Sequence, residues 1–223
     1  MNDTFASGGR GRRPAWRLVA SVCLAAHLAG CGIAPRSSPA MQFDLGPAPA
    51  ASAPGLPALP PVSIADIGVP NWLDRPLMYY RLNYDNPMQP RPYASSRWTM
   101  APAELIEQRL KQRIVSAGGI ALSASDGASN VPVIRIETDD FIQVFDAPGR
   151  SAGQVTLRAS VYRGRSLLGQ KTVARTVPAP TPDASGGARA LAEATDAACR
   201  DLIVWLGSLP LQAAGAQGAP AGR

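Results

Sequence analysis

Thirteen residues, Leu18 to Gly30, all apolar or small except His27, run directly into Cys31 and follow a basic segment holding Arg10, Arg12, Arg13 and Arg17. At ~1.5 Å per residue this stretch makes about 20 Å of helix, too short for a bilayer core of about 30 Å. It has the form of a secretory signal core. Its end, Leu28-Ala29-Gly30-Cys31, fits the bacterial lipobox of an apolar residue, two small residues and a cysteine. The Cys31 thiol is the nucleophile that takes a diacylglyceryl group, and the small residues let the signal peptidase reach the bond. The pattern predicts a signal peptide over 1–30, lipid attachment at Cys31, and no cofactor beyond that covalent lipid. An ordinary cleaved signal that leaves Cys31 as a free thiol is the alternative. Gly32 follows Cys31 where an inner-membrane retention signal would place aspartate. The expected address is therefore the periplasmic face of the outer membrane.

Cleavage changes the chemical inventory. His27 is the only histidine and falls in the removed segment, as does Cys23, so Cys199 is the one ordinary cysteine left. A chain without histidine cannot build a Ser-His-Asp or Cys-His nucleophile or a common zinc site. Neither a Gly-x-Ser-x-Gly elbow nor a Walker motif is present. The expectation is a protein that is not an enzyme and draws any energy from a partner. The formal charge is +6; residues 1–30 hold four arginines and Asp3, a net +3, leaving +3 spread over the rest. A nucleic-acid footprint is a stronger and more clustered basic excess, so no nucleic-acid partner is expected.

Beyond Cys31 the chain divides by composition. Residues 31–40 read as a flexible tether, 41–210 as one folded domain, and 211–223 as a disordered Ala/Gly/Gln-rich tail. Residues 47–61 are an Ala/Pro-rich loop, too proline-rich to join a helix or a sheet. Inside the domain, Phe43–Gly46, Val62–Ala65, Leu77–Leu82, Ile120–Leu122 and Val133–Phe145 read as strands. Val155–Val161 alternates cleanly, Arg163–Ser166 turns, and Leu167–Val177 returns. Pro102 opens a helix whose apolar face is Leu105, Ile106, Leu110, Ile114 and Val115, with Gly118-Gly119 as its stop. A second helix follows Asp183 and runs to about Leu206, with Leu191, Thr195, Ala198, Leu202 and Trp205 as its buried stripe. Strands, helix, strands, helix point to an α/β sheet covered by two main helices.

Five separated blocks then carry a resemblance: Phe43-Asp44-Leu45-Gly46, Trp72 to Leu82, Tyr93 to Trp98, Phe141 to Phe145, and Pro180-Thr181 with Gly186-Gly187. In this order they resemble the ABC-type transport auxiliary lipoproteins, the PqiC/YmbA-like group, over roughly residues 41–207. The resemblance implies a three-layer α/β fold with a mixed sheet, which the hairpin-forming strands of this chain suggest is mostly antiparallel. It also implies a lipid-anchored, periplasm-facing accessory subunit at the outer membrane. Such subunits work with an ABC transporter and a periplasmic MCE-domain protein that move lipids or hydrophobic compounds between membranes. The runner-up reading is a periplasmic lipid-binding carrier lipoprotein, which should enclose an apolar cavity.

Tyr93, Arg97 and Trp98 are the candidate interaction residues. They sit in a non-helical segment before a proline-opened helix, where an ordered extended backbone presents arginine and aromatics at low entropy cost. The expectation is an exposed face used for self-assembly or for docking the MCE partner. The competing account packs Trp98 beneath the helix and pairs Arg97 with a carboxylate such as Glu104. The acidic run Glu137, Asp139, Asp140 and Asp146 is read as cross-strand pairing with the arginines of the following strand.

Overall fold

The computed structural model describes residues 39–49 and 55–212. The expected signal peptide, Cys31 and nearly all of the tether lie outside the described residues, as do 213–223 of the tail. The elements are β1 (Met41–Phe43), β2 (Val62–Ile64), β3 (Leu77–Leu82), β4 (Pro90–Trp98), α1 (Pro102–Ser116), β5 (Ala121–Ser123), β6 (Val133–Ala147), β7 (Arg150–Arg163), β8 (Ser166–Pro178) and α2 (Ala184–Gly207). No helix among the described residues is long and apolar enough to cross a membrane.

The helices begin and end where their residues dictate. Pro102 occupies the first turn of α1, where a missing N–H costs nothing, and Glu104 sits at its positive end. Gly118 takes φ +81° just past the end of α1, a left-handed conformation that favours glycine. The Asp183 carboxylate caps α2 by accepting the Gly186 N–H at 2.7 Å.

One curled, mixed sheet holds the eight strands. The β6 strand is its spine: β7 runs antiparallel along one edge, and the other edge is shared by β2 near Ile134 and β3 near Val144, both parallel. Outward from these lie β5 beside β2, and β4 then β1 beside β3; β8 closes the other side against β7. The β1–β4 and β2–β5 pairs are parallel too, so four of the seven pairings are parallel. The expectation of a mostly antiparallel sheet is corrected here. Antiparallel pairs arise between chain neighbours and leave turn signals, whereas the parallel ones join segments tens of residues apart, with no local trace.

The two helices pack on each other, and their buried positions form a single cluster with Ile134, Ile136, Phe141, Val155, Leu157, Ala159 and Val161. Among the described residues both helices lie over the same face of the sheet. Among the described residues the opposite face of β6 and β7 carries ion pairs, and toward the β6–β7 turn it buries Ile142 and Val144. Arg158 reaches Glu137 at 2.7 Å and Asp139 at 3.3 Å, Arg81 faces Asp140 at 3.7 Å, and Arg135 lies over the Tyr162 ring. Residues of two low-complexity stretches pack into the core. Leu59, in the Ala/Pro-rich loop, is buried, and Leu211, assigned to the tail, is 4% exposed.

Candidate docking surface

The segment from Tyr93 to Trp98 is strand β4, joined on one side to β3 and on the other to β1. Two prolines hid its strand character, yet both are accommodated: Pro90 lies opposite Arg81 and Pro92 opposite Tyr79, beside a register irregularity. On the other edge Gln42 pairs with Arg97 and Phe43 with Trp98. Alternation then separates the three candidate residues. Arg97 is exposed and has no ion pair among the described residues. Trp98 points the other way, is 2% exposed, and packs its ring 5.3 Å from that of Phe141. The expected exposure of Trp98 is corrected: next to an outward Arg97, strand geometry turns the indole into the core.

Tyr93 is half-buried and belongs to a polar network beneath the amino end of α2. Its hydroxyl donates to Gln143 Oε1 at 2.8 Å, and Gln143 Nε2 donates to Ser151 Oγ at 2.8 Å. Gln143 itself is fully buried. Burial, then the Tyr80 and Asp183 charges, hold the Tyr93 hydroxyl above its ordinary pKa, so it remains a donor. The close approach of α2 explains the Gly186-Gly187 pair. A β-carbon on Gly187 would overlap the Gln143 amide, and one on Gly186 would overlap the Thr181 backbone. Asp183 accepts from Thr181 Oγ1 at 2.8 Å as well as from Gly186. Those bonds, the Gly186 N–H foremost, hold its carboxyl below the usual value.

A second buried cluster lay beyond what the sequence reading found. On α1, Arg109 and Arg113 are each 3% exposed, set between Leu105, Ile106, Leu110 and Ile114 on the inward face. Arg109 donates through Nη2 to the carbonyls of Leu45 at 2.5 Å and Gly46 at 2.7 Å, and its Nη1 lies 3.5 Å from Asp196 on α2. Burial pushes the Asp196 carboxyl up, while Arg109 and then Arg113 pull against that shift. The signal was available: arginines four residues apart in phase with an apolar stripe place charge inside. Cys199 is fully buried beside this cluster and its thiol is pushed up to about 12, mainly by burial, which leaves it inert.

Arg109 thus clamps the Asp44–Gly46 strap, which has a cleft on either side. One, of about 340 Å³, lies between Phe43, Leu45 and the α2 residues Ser185, Ala188, Arg189 and Ala192. The other, of about 130 Å³, lies toward α1 between Met100 and Arg109. Among the described residues no group of histidine, cysteine and acidic side chains could hold a metal ion.

The sequence model for the "ABC-type transport auxiliary lipoprotein component" matches residues 43–203, from β1 through nearly all of α2. The chain belongs to that family. A search of curated proteins finds no match. Among solved structures, a Xanthomonas campestris protein of the family labelled DUF330 is similar, with 16% identity over 76% of this chain and 92% of its own and a TM-score of 0.60. A second, described only as an uncharacterized protein, gives 10% identity, 74% and 97% coverage, and a TM-score of 0.56. Identities this low establish a shared fold. The family match identifies an auxiliary component of ABC-type transport, a lipoprotein class rather than an enzyme class.

Proposed function

We propose that the protein is a lipid-anchored periplasmic accessory subunit of an ABC transporter of the MCE type, held at the outer membrane through Cys31 and serving movement of lipids or hydrophobic compounds between membranes. The observation that carries this reading is the family match spanning both helices and the sheet. The packing supports an adaptor over a carrier. Among the described residues the apolar cluster is continuous from α1 through β6 and β7 to α2, and the larger of the two clefts beside the strap, at about 340 Å³, is at the low end for ligand pockets. Arg97 supplies an exposed guanidinium, without an ion pair among the described residues, on the β1–β4 side, suited to a protein contact or to self-assembly. Affinity purification from detergent-solubilised membranes, with identification of both proteins and lipids, tests the choice. Co-purification of an MCE-domain protein with transporter components is the expected result. Recovery of the chain alone with stoichiometric lipid would favour the carrier. Cys31→Ser should release the chain from the membrane or leave it unprocessed, and absence of fatty-acid incorporation into the wild type would remove the anchor from the reading.

A further inference from the structure

The parallel pairing of β1 with β4 fixes the end of the sheet at which β1 begins. Met41 lies beside Ser96 and Phe43 beside Trp98, so Pro39 and Ala40 enter β1 at the Pro90 end of β4. That end carries the β3–β4 connection, residues 83–89, and next to it the β6–β7 turn, because Asn83 bonds the Phe145 carbonyl at 2.8 Å. The connection displays apolar side chains outward: Met88 is 88% exposed and Tyr84 48%. It does so from a fixed frame. Asn86 Oδ1 accepts the Met88 N–H at 3.0 Å, Arg91 reaches Asp85 at 2.6 Å, and Asn83 Nδ2 donates to Asp146 at 3.0 Å. A turn held by its own polar groups presents Met88 and Tyr84 without a further ordering cost.

Reach agrees with direction. Pro90 precedes Ser96 by six residues, so the turn lies about 20 Å from Met41 along the strand. Cys31 precedes Met41 by ten residues, which span at most about 35 Å. The acylated residue and the turn can therefore meet the same surface. One acyl-type attachment leaves a domain free to tumble, and a second apolar contact would orient it. Tyrosine, with an apolar ring and a polar tip, suits the headgroup boundary, and methionine adapts to the acyl region.

We propose that the 83–89 turn, through Tyr84 and Met88, rests in the phospholipid interface that holds the Cys31 lipid and stands the sheet upright on that membrane. The inference rests on the reading of Cys31 as the acylated anchor. Asp85 and Asp146 balance Arg91 and Arg150 at this end, so the contact does not depend on anionic lipid. The opposite end, with the β7–β8 turn and its exposed Leu167, faces away into the periplasm.

The test uses the full acylated protein in vesicles of phosphatidylethanolamine and phosphatidylglycerol carrying a nitroxide lipid near the headgroup. A polarity-sensitive fluorophore is placed at Pro87→Cys in one sample and at Leu167→Cys in another. Cys199 is buried and Cys31 is blocked by lipid, so labelling is confined to the new thiol. A blue shift and strong quenching at 87, none at 167, and loss of the quenching when Tyr84→Ser and Met88→Ser are added, is the expected pattern. It should persist when phosphatidylglycerol is replaced by phosphatidylcholine. A chain that floats with the vesicles yet shows equal, water-like emission at both positions overturns the orientation and leaves the anchor standing. A probe at 87 shielded from aqueous iodide but unquenched by lipid nitroxide means that a protein covers the turn, and also overturns it. A chain that neither incorporates lipid nor floats fails at the anchor itself, and the orientation falls with it.

Discussion

Against the sheet, α2 is dry and tightly fitted: Gly153 of β7 lies beneath Ala190 and Leu191, where a β-carbon would come within 2.6 Å of backbone, and Ala198 and Leu202 continue the seam. Against α1, the same helix buries Asp196 beside Arg109, with Arg113 close by. The first seam joins a helix to strands that form their own hairpins. The second joins two helices separated by three long strands in sequence and also takes hold of the Leu45 and Gly46 carbonyls. Small residues suffice where local pairing has already set the distance. Charged groups with fixed geometry serve where a short edge strand, only three residues long, must be held in place. Arg109 therefore ties the Asp44–Gly46 segment into the body of the fold.

Breaking the charged seam should have the largest effect. Arg109→Ala leaves Asp196 buried without its partner and frees two carbonyls, and should cost about 3–5 kcal/mol in urea unfolding. Replacing both partners, Arg109→Met with Asp196→Leu, should regain much of that loss, though not the hold on the strap. Protection of the Asp44–Gly46 amides from hydrogen exchange separates the two effects. At the polar margin of the dry seam, Gly187→Ala drives a methyl into the Gln143 amide and should cost about 1–3 kcal/mol, read by thermal melting. Arg97→Ala touches neither seam and should change stability by less than about 0.5 kcal/mol while weakening partner recovery. A loss of ~2 kcal/mol or more, with association intact, would make Arg97 structural.

The smallest effect is one of pH. The two aspartates of this helix shift in opposite directions. Asp183, lowered by its bonds to Gly186 and Thr181, contributes stability above the ordinary value of 3.8 and loses it as pH falls through its lower folded value. Asp196, raised by burial, has the reverse sign: its contribution is present below the ordinary value and is lost as pH rises through the raised one. The advantage of the wild type over Asp183→Asn should accordingly be present at neutral pH and shrink on acidification in parallel melts. An advantage that grows on acidification would contradict the capping geometry.

How much of this the sequence disclosed follows from the range over which each feature is encoded. Both helices, the β6–β7–β8 meander and the Asp183 start signal are local and were legible. The β6 pattern was legible only in part. Ile134, Ile136, Ile142 and Val144 share parity, but a bulge between Thr138 and Asp140 turns the strand over. Phe141, Gln143 and Phe145 thereby join the helix-covered face, and Ile142 and Val144 go to the other. No local residue pattern announced that irregularity. The parallel pairings span dozens of residues and left no local trace, and of the Arg109–Asp196 contact only the arginine half showed, in the phase of Arg109 and Arg113 with the apolar stripe. Of the candidate surface, Arg97 and Trp98 were found as a unit and the strand divides them. Tyr93 turned out to belong to the network under Gly187.

A photo-crosslinking residue at position 97, in cells where Cys31 is acylated, tests the accessory-subunit reading most directly. Adducts with a periplasmic MCE-domain protein, or with a second copy of the chain, are predicted, and they should disappear when the probe is moved to the buried position 98. A membrane-bound, acylated chain whose probe at 97 captures lipid alone, or no protein at all, would contradict it.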